Sequence, residues 1–204
     1  MPAEQTPQKK TVQNKTALRD QLLTTRNRRS LAEVGQAARA IAGHLLAAPE
    51  VRRAASVAAY VSIGTEPGTT ELLDALVAAG KRVILPVLQP DNDLDWAVFR
   101  GTGTHNNLAP ARRGLLEPVG ERLGPEAIAT CDVVLVPGLA VDPTGMRLGR
   151  GGGSYDRALG RVPVGTPVVV LLYDGEVVER VPADGHDRPV TAVVTPSGLT
   201  RLVE

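Results

Sequence analysis

Two periodicities divide the chain. In the stretch NKTALRDQLLTTRNRR from Asn14, Leu18 and Leu22 recur four apart with Ala17 and Leu23 beside them, so one helical stripe is apolar. Lys15, Arg19 and Arg26 fall on a neighbouring face. A second helix opens at Ser30, where Ser30-x-x-Glu33 has the spacing of a capping box, each side chain satisfying an exposed amide. Val34, Ala38, Ile41 and Leu45 then recur at helical spacing until Pro49 closes the run. Beyond Pro49 the pattern changes. Ser56 to Ser62 is a short continuous apolar run with β-branched residues, as in a strand buried on both faces. Residues 63–69 read as a loop and Thr70 to Ala79 as a helix ended by Gly80, and Arg82 to Leu88 is another buried strand. That order calls for a right-handed crossover and a parallel sheet.

The middle is patterned more weakly. Asp93 to Phe99 alternates and predicts a strand with one wet face, while residues 101–125, rich in Gly and Pro, predict a long loop. A helical turn at Pro125–Thr130, a strand at Asp132–Val136, a Gly-rich stretch over 137–153 and a short helix near Tyr155–Arg161 follow. Strands at Val168–Tyr173 and Thr191–Thr195 complete the reading. Neither a repeat nor a linker divides the chain. The expectation is a single α/β domain over 14–204: a mainly parallel, Rossmann-like sheet flanked by helices, with an N-terminal helical arm and a flexible segment at 1–13. Trp96, Phe99 and Cys131 are expected to be structural.

Composition narrows the function. Of 204 residues, 43% are hydrophobic and 22% charged, enough for a core and far from disorder. Aromatics make up only 2%, too few for the stacking surface of a single-strand nucleic-acid platform. A net charge of +1 hides an asymmetry: residues 1–53 carry ten Lys and Arg against four acids, and residues 54–204 thirteen against eighteen. A basic head on an acidic body suits nucleic acid, an anionic ligand or merely a solvated helix. One cysteine, Cys131, excludes an internal disulfide and fits a reducing compartment. No apolar run approaches the ~20 residues of a membrane span. The start, Met1 to Lys10, has charges without an apolar stretch behind them. A cytoplasmic protein with no membrane partner is expected. The three histidines, His44, His105 and His186, show no paired metal-ligand spacing, which disfavours a zinc site.

The most informative segment runs from Val136 to Arg157. Gly149, Gly151, Gly152 and Gly153 leave backbone amides unshielded just before a predicted helix, an arrangement that favours an anion such as phosphate. Arg147 and Arg150 add bidentate donors suited to phosphate oxygens. A flexible surface turn is the competing reading. The P-loop pattern is absent, and Gly149-x-Gly151-x-x-Ser154 lacks the last glycine of the dinucleotide fingerprint.

Taken whole, the segment resembles the signature of the 5-formyltetrahydrofolate cyclo-ligase family, also called methenyltetrahydrofolate synthetase. The match runs through Pro137, Gly138, Asp142, Gly145, Arg147, Leu148, Gly149, Gly151, Gly153, Tyr155 and Asp156. Val141 stands where Phe is usual, Gly152 where many members have Lys, and Ser154 where Tyr is usual. The missing Lys removes a phosphate-neutralising charge. The resemblance implies that Arg147, Leu148, Gly149, Arg150, Gly151, Gly152, Gly153, Ser154 and Tyr155 bind ATP, with Arg147 catalytic at the transferring phosphate. Lys15 and Arg19, with Leu22 and Arg26, look like the family's opening helix, whose basic residues reach ATP; alone, the helix would read as a solvated charged face. Arg28 and Arg29 are expected to be solvated.

The resemblance extends along nearly the whole chain. Tyr60 to Thr69 is similar to the family's loop after the first strand, which makes Val61 and Glu66 substrate-binding residues, Glu66 accepting from the pterin's N–H donors. Leu115-Leu-Glu117-Pro118 is similar to a segment lining the folate site, so Glu117 joins them. Asp156 and Asp187 match the family's two Mg²⁺ carboxylates, with Asp184 competing at the second position and a helix-end or turn role open to each. The implied reaction is the ATP-dependent closure of 5-formyltetrahydrofolate, with or without a polyglutamate tail, to 5,10-methenyltetrahydrofolate through an N5-iminophosphate, releasing ADP and phosphate. A folate- or nucleotide-binding protein of the same fold without catalysis is the alternative. A nucleic-acid module rests only on the basic head and is disfavoured.

Overall fold

Strands made almost entirely of valine and leucine have no polar face to turn to water, so they must sit side by side and be covered above and below. The computed structural model describes residues 7–185 and 187–202, with side chains from Asn14 onward. Helices α1 (Pro7–Arg26) and α2 (Leu31–Ala47) lead into a single turn, α3 (Pro49–Arg53). Strand β1 (Ser56–Ala58) crosses through α4 (Thr70–Ala78) to β2 (Arg82–Leu88), which turns back as β3 (Leu94–Phe99). A small ribbon pairs β4 (Leu108–Pro110) with β5 (Leu116–Pro118). After β6 (Val133–Pro137), a second ribbon pairs β7 (Ala140–Val141) with β8 (Arg147–Leu148). Helix α5 (Ser154–Leu159) and strands β9 (Val168–Leu171), β10 (Ala192–Thr195) and β11 (Gly198–Arg201) complete the described elements.

The main sheet has seven strands in the order β11-β10-β9-β6-β1-β2-β3. The five inner strands are parallel, and β3 and β11 close the two edges antiparallel. Alternate residues feed two cores. Val133 and Leu135 of β6 join Ile41, Leu45, Leu72 and Leu76 from α2 and α4 on one face. Val134 and Val136 join Ile128, Ala158 and Leu159 on the other. A third, smaller cluster packs Leu22 of α1 on Leu139, Ala140, Leu148 and Val181. The expected α/β architecture, a mainly parallel sheet between helices, is therefore present.

Local signals hold where they are chemical. Ser30 Oγ accepts from Glu33 N at 3.3 Å and Glu33 Oε2 accepts from Ser30 N at 2.7 Å, closing the capping box. Gly80, at φ +76°, donates to Val77 O while Lys81 donates to Leu76 O, the paired bonds of a Schellman end. Pro49 both ends α2 and starts α3, where its missing N–H costs nothing. Trp96 and Phe99 are buried in the two main cores, and burial pushes the Cys131 thiol up to about 11.

Elsewhere the structure departs from the pattern. The helix expected from Asn14 begins at Pro7, while residues 1–6 lie outside the described residues. The strand after Ser56 stops at Ala58, because the chain must leave the sheet to form the loop over its end. Strand β3 has no wet face: Leu94, Trp96, Ala97 and Phe99 are buried, since the turn Pro125–Thr130 packs over this edge. The expected long loop at 101–125 contains the β4–β5 ribbon, the Gly-rich stretch contains β7–β8, and β11 lies beyond the last expected strand. Two- and three-residue strands carry too few positions for a period to appear.

Gly145 closes the turn between β7 and β8 at φ +81°, and a Cβ there would overlap the carbonyl oxygen of Val190. Its own carbonyl accepts from Val190 N at 2.8 Å, so neither strand of backbone can retreat. Gly145→Ala is expected to lower unfolding free energy by about 2–3 kcal/mol through overpacking and backbone strain. Gly43→Ala, on the exposed face of α2 with nothing near the added methyl, should instead raise it by about 0.5–1 kcal/mol. Urea denaturation of the two variants checks the opposite signs.

Candidate active site

The sheet changes direction at its middle: β1 leads outward to β2 on one side, whereas β6, β9 and β10 build the other. Loops leaving the carboxyl ends of β1 and β6 must therefore part, opening the crevice where ligands of such sheets bind. A cavity of about 700 Å³ lies there. Tyr60 and Val61 line it after β1, Pro137 and Gly138 after β6, and the glycine loop 149–153 forms a wall. Every site residue expected from the sequence lines this one cavity, from Lys15 and Arg19 through Glu66 and Glu117 to Asp156 and Asp187.

The glycine loop is held from both sides. Arg147, on β8, is buried; its Nη1 donates to Pro137 O at 3.1 Å and its Nη2 lies 3.0 Å from Asp156 Oδ1. Its guanidinium also stands 5.9 Å from the centre of the Tyr155 ring. From above, Arg19 Nε donates to Gly149 O at 2.9 Å. Gly153 takes φ +68° at the start of α5, a left-handed turn that brings Ser154, Tyr155 and Asp156 to the cavity in the first turn of the helix. Across the cavity, Glu66 Oε2 accepts from Ile63 N at 3.0 Å and Oε1 meets Arg150 Nε at 3.0 Å. Glu117 Oε1 accepts from Leu88 N at 2.9 Å, so one oxygen braces the end of β2.

Lys15, in the outer half of the arm, is buried. Its ammonium lies 2.7 Å from Asp184 Oδ2 and 2.6 Å from Asp187 Oδ2. Burial opposes that charge, but the two carboxylates outweigh it and hold the Lys15 pKa above the ordinary lysine value. Asp184 and Asp187 share this cation alike, and Asp184 N donates to Asp187 Oδ2 at 2.7 Å, so geometry does not single out Asp187. His186, between them in sequence, lies outside the described residues.

Two basic residues of the arm depart from expectation. Arg26, grouped by the resemblance with the basic residues of the opening helix that reach ATP, is fully buried and lies outside the cavity lining. Its Nε donates to Glu176 Oε1 at 2.6 Å, and its Nη2 donates to Glu176 Oε2 and to Gly138 O, each at 2.7 Å. Arg29, expected to be solvated, stacks with its guanidinium 4.0 Å from the centre of the Tyr173 ring, whose electron-rich face attracts it. Arg28 is exposed, as expected. Glu176 and Tyr173 follow β9, some 150 residues from Arg26, and a single acid in a turn gives no sequence signal for such a partner. Tyr60 was also unmarked; its buried hydroxyl is held protonated by burial first and by the nearby Glu66 charge second.

Comparison with known proteins identifies the family and supports the fold. A sequence model described as the 5-formyltetrahydrofolate cyclo-ligase family matches residues 11–196. The chain belongs to that family. It is 41% identical over 197 residues to the 5-formyltetrahydrofolate cyclo-ligase of Mycolicibacterium smegmatis, covering 93% of this chain and 97% of the relative. The cyclo-ligase of Escherichia coli is 36% identical over 166 residues, 81% of this chain and 89% of its own. Among solved structures, the 5,10-methenyltetrahydrofolate synthetase of Aquifex aeolicus superposes with a TM-score of 0.79 at 34% identity, covering 93% of each chain. No helix among the described residues is long and apolar enough to cross a membrane.

The cyclo-ligase signature also includes Asp142, whose task here is structural. Its Oδ1 accepts from Thr144 N, Thr144 Oγ1 and Met146 N, and its Oδ2 accepts from Val181 N at 2.9 Å. Burial opposes the carboxylate, but these donors together hold its pKa below the ordinary aspartate value. A depressed pKa in the folded state adds stability above the unfolded value, and that stability is lost as pH falls through the folded one. Asp142→Asn would turn an amide group toward the Val181 N–H. It is expected to cost about 1–3 kcal/mol at pH 7, with the difference from the parent shrinking toward pH 3 in urea titrations.

Proposed function

We propose that the chain catalyses the ATP-dependent conversion of 5-formyltetrahydrofolate to 5,10-methenyltetrahydrofolate. One observation carries the reading: the anion-suited glycine loop, with Arg147, Arg150, Lys15 and Arg19, and the acid suited to pterin donors, Glu66, face each other in a single cavity of about 700 Å³. That volume is within the range that holds small-molecule substrates. The N5-formyl oxygen attacks the γ-phosphorus and the bond to the β–γ bridging oxygen breaks, releasing ADP. N10 then attacks the formyl carbon, its proton departs, and the carbon–oxygen bond breaks to free phosphate. Such chemistry asks the protein for alignment and charge stabilisation rather than a covalent nucleophile. Loop amides and the fixed Arg147 guanidinium supply those to the moving phosphoryl group. Lys15 and Arg19, brought over the loop by α1, complete the cationic wall in which Gly152 contributes no charge.

The family resemblance also implies Mg²⁺. Among the described residues no group of three or more His, Cys, Asp and Glu could hold a metal ion. Asp156, with Asp187 or Asp184, nevertheless lines the same cavity, and Mg²⁺ commonly takes one or two carboxylates with phosphate oxygens and water. The residues fit an ion that arrives with the triphosphate, which would neutralise charge on the phosphates. Asp156, with Asp187 or Asp184, would hold it together with the phosphate oxygens.

Purified protein mixed with 5-formyltetrahydrofolate, ATP and Mg²⁺ is expected to show methenyl-folate absorbance in a single turnover. Affinity for both substrates without product would establish the non-catalytic binder instead. Arg147→Ala should lower kcat by about 10²–10³-fold, the effect of losing one fixed transition-state donor, while folate affinity measured without ATP changes little. Unchanged turnover in a folded variant would remove Arg147 from the reaction.

A further inference from the structure

One ion pair crosses the cavity from the phosphate side to the folate side. Arg150 belongs to the glycine loop, and its Nε lies 3.0 Å from Oε1 of Glu66 in the loop after β1. The two partners differ in freedom. The Glu66 side chain is 7% exposed and is fixed through its other oxygen by Ile63 N, whereas the Arg150 side chain is 43% exposed at the mouth. A pair with one solvated, long side chain is readily exchanged. A carboxylate as enclosed as Glu66 needs donors at all times. The remaining cations of the wall do not share this position: Lys15 bonds to Asp184 and Asp187, Arg19 to Gly149 O, and Arg147 to Asp156 and Pro137 O.

We propose that Arg150 is a positioning residue that couples the two substrates, by competing with folate for Glu66. A polyphosphate seated on the loop amides draws the guanidinium to itself. Glu66 then loses a donor, and the N–H groups of the pterin replace it. The inference rests on the ATP-and-folate reading above and extends it by setting an order: nucleotide binding raises folate affinity. Reciprocity requires folate to raise nucleotide affinity by the same factor. In this scheme the protein keeps Glu66 masked until the phosphate donor is in place, so folate is not held where it has nothing to react with.

Isothermal titration calorimetry with 5-formyltetrahydrofolate, with and without saturating β,γ-imido-ATP and Mg²⁺, tests the coupling in the parent chain and in Arg150→Gln. The parent is expected to bind folate about tenfold more tightly when the analogue is present. Arg150→Gln should bind folate without the analogue nearly as tightly as the parent does with it, and the analogue should then add less than about twofold. Arg150→Lys, which keeps the charge but not the planar fork, should retain part of the coupling. Tenfold coupling that survives in Arg150→Gln, or a parent whose folate affinity ignores the analogue, overturns the role of Arg150 and leaves the proposed reaction standing. A folded parent that binds no 5-formyltetrahydrofolate under either condition overturns the proposed reaction, and the coupling with it.

Discussion

A guanidinium removed from water must find its partners, and the burial of Arg26 sets the geometry of everything above the sheet. Glu176 and the carbonyl of Gly138 both belong to segments leaving the carboxyl edge of the sheet, so the bonds from Arg26 Nε and Nη2 fix the end of α1 at that edge. A buried charge tolerates little displacement, because losing one partner leaves the other uncompensated. The rest of the helix then follows from its rise. Arg19 and Lys15 lie seven and eleven residues back, about 10 and 16 Å along the axis, which carries them over Gly149 and the Asp184–Asp187 segment. Leu22, between Arg19 and Arg26, rests on Leu139, Leu148 and Val181 and keeps the helix from rolling.

The cavity beneath that helix is lined by charges that already have partners. Lys15 is shared by two aspartates, Arg147 is held by Asp156, and Arg150 by Glu66. A site built for highly charged substrates would otherwise bring like charges together at a cost in stability. Here each of these charges meets one of opposite sign, and the protein keeps a nearly balanced field. The basic excess of the first fifty-three residues is spent partly in this way: Lys15, Arg19 and Arg26 all turn inward rather than forming an exposed basic face.

How much of this was legible in the sequence depended on the range of the interaction. Capping at Ser30 and Glu33 and the glycine end at Gly80 are decided within a few residues, and the pattern placed them correctly. The parallel strands were visible because five apolar runs each bury both faces, as in β9, where all four residues are buried. The gathering of the site residues was legible only through the family signature, since nothing local brings Lys15 to Asp187. Elsewhere the reading failed: Arg26 was grouped with the basic residues that reach ATP and Arg29 looked solvated, because their partners, Glu176 and Tyr173, are unremarkable turn residues. The short ribbons β4–β5 and β7–β8 escaped for a different reason, having no length over which alternation could show.

The anchors of α1 all lie far downstream: Gly149 is 130 residues from Arg19, Glu176 150 from Arg26, and Asp187 172 from Lys15. During synthesis the arm leaves the ribosome long before Gly149, Glu176 and Asp187, on which it docks. Its basic residues therefore lack these partners until those segments exist, and the cavity gains its full roof only then. A chain that stops before Glu176 lacks the carboxylate that holds Arg26 and both aspartates that hold Lys15, so the roof of the cavity is left with the Arg19 bond to Gly149 as its remaining long-range polar anchor of these three.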